Sequence, residues 1–150
     1  MVLIKRAYAA ARPGDGYRVL VDRLWPRGVT KARAAVDLWA KEVAPSASLR
    51  TWFGHEPGRF REFALRYRRE LRTADARETL RNLAGRAGRG PVTLVYGARD
   101  ETHNGAVVLL AMLRTRAARA RRAALPGPRE IPGARRSRGQ PGRRPAGLEE

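Results

Sequence analysis

Residues 17–28 read Tyr17-Arg18-Val19-Leu20-Val21-Asp22-Arg23-Leu24-Trp25-Pro26-Arg27-Gly28, YRVLVDRLWPRG, and change character halfway. The first five are a strand, rich in β-branched residues and preceded by the turn cluster Arg12-Pro13-Gly14-Asp15-Gly16. The rest is polar, yet a plain connecting turn needs neither the charge nor the indole. Pro91-Val92-Thr93-Leu94-Val95-Tyr96 repeats the pattern: an apolar run followed by Gly97-Ala98-Arg99-Asp100-Glu101-Thr102-His103-Asn104. Its lack of alternation suits a strand covered on both faces, as in parallel sheets. Val2-Leu3-Ile4 is a third, short strand.

Between and after these runs the periodicity is helical. Thr30 can cap a short turn, and Asp37 can cap another carrying Leu38, Trp39 and Val43, stopped by Pro45. Ser46 opens a turn with Leu49, Trp52 and Phe53 on one face. Phe60, Phe63, Ala64, Tyr67 and Leu71 predict a helix over Pro57–Arg72, and this aromatic stripe reads as core. Asp75–Ala87 is a second amphipathic helix, and a last one starts near Asn104 and extends to Ala124. Strands separated by helices predict an α/β fold, a small mostly parallel sheet flanked by helices, with a fourth strand able to hide in the middle region. The expected organisation is one domain over 1–115, a helix extension over 116–125 and a disordered basic C-terminal tail over 126–150. That tail is rich in Pro, Gly and Arg and has too few large apolar residues to offset its ordering entropy.

Composition narrows the function classes. The 150 residues contain no cysteine, which excludes disulfides and zinc-thiolate sites. No apolar run is long enough for a membrane span, and the basic pair follows the apolar start rather than preceding it as in a secretory signal. A cytoplasmic protein without a membrane partner is therefore expected. The net charge is +18, and Lys5, Lys31 and Lys41 are the only lysines. Residues 1–114 hold 22 Lys and Arg against 11 Asp and Glu, and residues 115–150 hold 10 against 3. An arginine excess of this kind accompanies GC-rich coding and still attracts anions.

In a parallel α/β sheet, functional groups gather beyond the carboxyl ends of the strands. If the second and third strands run the same way, the two polar segments open on one edge. Asp22, Asp100 and His103 are then candidate catalytic residues, with His103 exchanging a proton and Asp100 orienting it or acting as base. Arg23, Arg27 and Arg99 offer forked donors to a phosphate or carboxylate beside the start of the last helix. Trp25 and Tyr96 offer flat faces, Asn104 a hydrogen-bonding side chain, and His55 a cover from the side. Each residue also has a plain structural role open to it: Asp22 as a cap, Trp25 as a lid, and His103 or Asn104 capping the helix. No metal is assigned, since Asp22, Asp100 and His103 lack ligand-type spacing, and no cofactor motif is present.

The segments VLVDRLWPRGV, LWAKEVAPSASLRTWFGHEPGRFREFALRYRREL and GPVTLVYGARDETHNGAVVLLAML cover nearly all of residues 2–114. In them the chain resembles domain-of-unknown-function family 488, in its small YeaO-like branch. The resemblance implies an α/β fold and a bacterial cytoplasmic protein, and brings no established activity with it. It extends to Asp22, Arg23, Trp25, Pro26, Arg27 and Gly28; to Ala44, Pro45, Ser46, Leu49, Trp52, Phe53 and His55; and to Asp100, His103, Asn104 and Ala106. Gly105 departs from it, standing where relatives often carry a polar residue, and the chain beyond about residue 116 lies outside the pattern. Two functions follow as expectations. One is an enzyme or binder acting on a phosphorylated or nucleotide-like small molecule between the two polar segments. The other is a nucleic-acid-associated protein working through its basic surface and tail.

Overall fold

The computed structural model describes residues 1–127. Its sheet has four strands: β1 (Val2–Arg6), β2 (Tyr17–Leu20), β3 (Leu38–Trp39) and β4 (Val92–Tyr96). Their order is β1-β4-β2-β3, and every neighbouring pair is parallel. Val2 faces Val92, Tyr17 also faces Val92, and Val19 faces Leu38. β4 is central and all five of its residues are buried, which explains its missing alternation.

The fourth strand corrects one expectation. Leu38 and Trp39 form a strand rather than a helical turn, and Asp37 caps nothing. Asp37 instead continues the ladder beside β2: its N–H donates to the Arg18 carbonyl, and its Oδ2 accepts from the Arg18 N–H at 2.8 Å. Two residues are too few for a period to be visible. The helix expected over Pro57–Arg72 also divides, into a 3₁₀ turn at Pro57–Arg59 and α3 (Phe60–Glu70).

The remaining helices are α1 (Lys31–Ala34), α2 (Ala47–Phe53), α4 (Ala74–Ala87) and α5 (Gly105–Ala124). Thr30, Ser46, Thr73 and Asn104 cap α1, α2, α4 and α5 by accepting from the N–H three residues on. Such caps are each worth about 1 kcal/mol, because those donors have no partner inside the helix. The main core joins β-strand residues Val19, Val92 and Leu94 to Phe63, Tyr67, Leu80, Leu83, Leu109 and Leu113 of the helices. Phe53 and Phe63 stack at 4.4 Å, adding about 1 kcal/mol beyond the area they bury. On the opposite face a smaller cluster of Ala7, Leu20 and Val95 is covered by Trp25, Val36 and Trp39.

The expected tail over 126–150 lies, from residue 128 onward, outside the described residues. Among the described residues no helix is long and apolar enough to cross a membrane.

Candidate functional site

β2 and β4 are adjacent and parallel, so the segments following them leave the sheet side by side. Asp22 joins them: its Oδ2 accepts from the Gly97 N–H at 2.8 Å. The approach is close, since a Cβ on Gly97 would stand 3.3 Å from that oxygen. Among the described residues the other oxygen, Oδ1, receives no hydrogen bond. Burial pushes the Asp22 carboxyl above its ordinary 3.8, opposed by the Gly97 N–H and by the charge of Arg50.

The loop around Asp22 is locked by two indoles. Trp25 donates to the Val29 carbonyl at 2.6 Å and Trp39 to the Asp22 carbonyl at 2.7 Å, and the two rings meet edge to face at 5.5 Å. Pro26 is buried, and Gly28 turns the chain with φ near 73°. Trp25 is thus the loop's internal brace. Arg23 is exposed and reaches across to the Pro45 carbonyl at 3.2 Å. Arg27 and Arg99 are exposed as well, and among the described residues neither has a side-chain partner.

The second segment is built around Asp100. Its Oδ1 accepts from the Thr102 N–H and hydroxyl at 2.9 Å each and from the His103 N–H at 3.0 Å. Its Oδ2 meets His103 Nδ1 at 2.9 Å. The Thr102 N–H is the largest influence and holds this carboxyl well below the usual carboxylate range; partial burial opposes it, and the His103 and Thr102 side chains reinforce it. Asp100 therefore shapes the loop and orients His103, whose ring rests edge-on against Phe60 at 5.2 Å. Asn104 does double duty, donating to the Asp100 carbonyl at 2.9 Å and capping α5. His55 is exposed at φ 57° and lies 6.4 Å from Phe53, whose ring neighbours Phe60 at 6.2 Å. Two phenyl rings thus stand between the two histidines.

Some expected members are drawn into the framework. Tyr96 is only 3% exposed, so its ring offers no free face for stacking. It lines an open recess of about 460 Å³ with Lys5, Arg6, Tyr8 and Glu101. That recess lies on the β1 flank of the 97–104 loop. On the β2 flank the two polar segments touch. No hydrogen bond or ion pair joins Asp22 to Asp100 or His103 among the described residues, and none of their His, Asp and Glu side chains form a group of three able to hold a metal.

Other residues of the site lie far away in sequence. Tyr67 is fully buried, and its hydroxyl donates to the Val43 carbonyl. Burial, with the charges of Asp22 and Glu70 added, raises its pKa far above normal, so it stays a donor. A Cβ on Gly105 would come within 3.1 Å of the Tyr67 ring and 3.4 Å of Pro45; glycine therefore lets α5 begin against them. Glu70 carboxylate oxygens accept from the Ser46 N–H at 3.1 and 3.2 Å. The only sequence hint was a tyrosine in a phenylalanine stripe, since a buried phenol requires an acceptor.

Asp22 yields a direct expectation. Its raised pKa means that stability from this group is fully present below the unfolded pKa and is lost as pH rises through the folded one. Asp22→Asn keeps an oxygen for the Gly97 N–H and carries no charge. Its melting temperature at pH 7 is expected to equal or exceed that of the wild type, with the gap closing in acid. Melts over a pH series check this; a lower value at pH 7 would contradict it.

Comparison with known proteins places these residues in context. The sequence model described as "Inactive DUF488-N3 subclade", DUF488-N3i, matches residues 1–128. It runs on through the arginine-rich end of α5, past the point where the resemblance read from the sequence stopped. The uncharacterized protein Rv3073c of Mycobacterium tuberculosis (strain ATCC 25618 / H37Rv) is 45% identical over 115 residues, covering 77% of this chain and 95% of its own. The uncharacterized protein YeaO of Escherichia coli (strain K12) is 44% identical over 111 residues, 74% of this chain and 95% of its own. No solved structure matches.

Proposed function

The chain belongs to the inactive DUF488-N3 subclade, and from that premise we propose that it binds, without turning over, a phosphorylated, nucleotide-like small molecule at the carboxyl edge of the sheet. The observation that carries this reading is the Asp22 carboxylate. One oxygen ties the two strand ends together, and the other has no donor among the described residues. That oxygen is open to solvent, since no buried side-chain oxygen among the described residues lacks a partner, and it is free to accept from a hydroxyl or N–H of a ligand, as a ribose or base supplies. Arg23, Arg27 and Arg99 stand exposed on the same two segments and are suited to a phosphate. Asp100 supports binding rather than turnover, because its oxygens are already occupied in shaping the loop.

One observation favours a second reading, an enzyme acting on the same ligand. His103 is held at Nδ1 by Asp100, and among the described residues its Nε2 has no partner, as a general base requires. Product formation that His103→Ala abolishes would favour this reading over a binder.

A thermal-shift series with nucleotides and sugar phosphates at constant ionic strength tests the main reading. At a hundredfold excess over Kd, a ligand adds about 2.7 kcal/mol, a rise of roughly 8 °C in a domain of this size. Asp22→Asn and Arg27→Ala are expected to fold and to lose the shift. Equal shifts in both variants, or shifts that follow ionic strength alone, would refute the site.

A further inference from the structure

The opposite edge of the sheet carries a feature that the carboxyl-edge site does not use. α4 leads into β4 and α5 leads away from it, so the end of each helix lies at the amino edge. Two contacts pin them there: the Met1 ammonium donates to the Ala87 carbonyl at 2.5 Å, and Arg114 donates to the Val2 carbonyl at 3.3 Å. β2 starts at the same edge, with the Tyr17 N–H on the Pro91 carbonyl.

A groove of about 510 Å³ opens here, lined by Tyr17, Leu38, Arg81, Arg86 and Arg89 among others. The Arg86 guanidinium lies 3.9 Å over the Tyr17 ring. The one carboxylate in the lining, Glu42, is occupied by the Thr79 hydroxyl at 2.5 Å. α5 packs against α4, and residues 102–127 contain Arg114, Arg116, Arg119, Arg121 and Arg122 and no Asp or Glu. Among the described residues, Arg81, Arg89, Arg116, Arg119, Arg121 and Arg122 have no side-chain hydrogen bond or ion pair. Cations near a helix C-terminus complement its dipole, but one or two per helix suffice for that.

We propose that this amino edge, from the Arg81–Arg89 groove to the arginine-rich end of α5, binds the phosphodiester backbone of nucleic acid. Arg114 to Arg122 span about 12 Å of helix with arginines on several of its sides, a spread of positive charge suited to the many phosphates of a polyanion rather than to a single phosphate group. Membrane docking would require large apolar residues along the helix, and between Arg114 and Ala124 the only apolar residues are alanines. Nothing on this edge reads bases, so affinity is electrostatic and indifferent to sequence.

The test uses the full chain and fluorescence anisotropy with a labelled duplex of about 30 base pairs, at salt concentrations between about 50 and 200 mM. Arg81→Ala/Arg89→Ala/Arg121→Ala removes three exposed charges and leaves the Arg86–Tyr17 stack in place. Arg61→Ala/Arg68→Ala/Arg69→Ala removes three exposed charges from α3. The edge variant is expected to lose tenfold or more in affinity and to flatten the log–log salt slope by about 2–3; the α3 variant is expected to lose less than threefold. Equal losses would mean that bulk charge alone binds, and would overturn the assignment. So would an unchanged edge variant, or phosphatidylserine vesicles lost by the edge variant while duplex affinity stays intact.

Discussion

Gly16→Ala is expected to cost about 3 kcal/mol or more, lowering the melting temperature by roughly 10 °C. Gly16 has φ near 62° and ψ near −130°, a region that L side chains avoid. Space forbids the change as well. An added Cβ would stand 2.2 Å from the Pro91 carbonyl oxygen, the acceptor for the Tyr17 N–H where β2 starts on β4. Relief would have to come from backbone at the centre of the sheet. Gly14, two residues earlier, has nothing within 4 Å of its would-be Cβ, so Gly14→Ala is expected to stay within about 0.5 kcal/mol. Urea titrations of the two variants check the contrast. Similar stabilities would mean that the register of β2 on β4 is not held at Gly16.

Asp15→Ala is expected to cost about 3 kcal/mol, because it strands a buried cation. Asp15 and Arg18 are 6% and 3% exposed. The Asp15 carboxylate accepts from Arg18 Nη1 at 2.6 Å, from Lys5 Nζ at 2.7 and 2.9 Å and from the Arg12 N–H at 3.0 Å. Arg18 also grips the Ala34 carbonyl through Nε and Nη2, and the buried Thr93 hydroxyl donates to the Asp15 carbonyl. The group ties β1, β2, β4 and the end of α1 together beneath the smaller face of the sheet. Arg18→Met leaves Asp15 with Lys5 and the Arg12 N–H, so it is expected to cost less. Asp15→Ala/Arg18→Met is expected to recover part of the Asp15→Ala loss, because the buried Arg18 cation is gone and only the more exposed Lys5 is left without its partner. Burial alone would raise the Asp15 carboxyl, but the bonds from Lys5, Arg12 and Arg18 outweigh it and hold its pKa below 3.8. Its stabilisation is therefore fully present above the unfolded pKa and is lost as pH falls through the folded one. Acid unfolding of Asp15→Ala should lack that component, and a parallel loss in both proteins would contradict the assignment.

These two sites show what was legible beforehand and what was not. Arg12 to Gly16 reads as a turn from its glycines and proline, and it is one. That the turn buries an acid between two cations was not legible, since local sequence reads charges as solvated. β2 and β4 were visible because each is a mostly apolar run bordered by glycine or proline, Gly16 before β2 and Pro91 and Gly97 around β4. β3 was hidden by its length and by Asp37, whose side chain extends a ladder where a helix cap was expected. In the site, the segments after β2 and β4 stood out for their charge, and the parallel pairing places them together. Tyr67, Glu70 and Arg50 were missed because they reach Asp22, Val43 and Ser46 only through tertiary packing. Trp25 and Tyr96 were legible as aromatic residues near a strand end. Whether such a ring faces a ligand or braces the loop depends on partners such as Val29 and Trp39.

The joined strand ends are the proposed ligand-binding unit. Its most direct test is a two-dimensional ¹H–¹⁵N titration of the full chain with a nucleoside monophosphate at constant ionic strength. The largest saturable shifts are predicted at the Asp22, Arg23, Gly97, Gly105 and Ala106 amides and are expected to vanish in Asp22→Asn. Saturable shifts centred on Tyr17, Arg86 and Arg89 instead, or none that saturate, would contradict it.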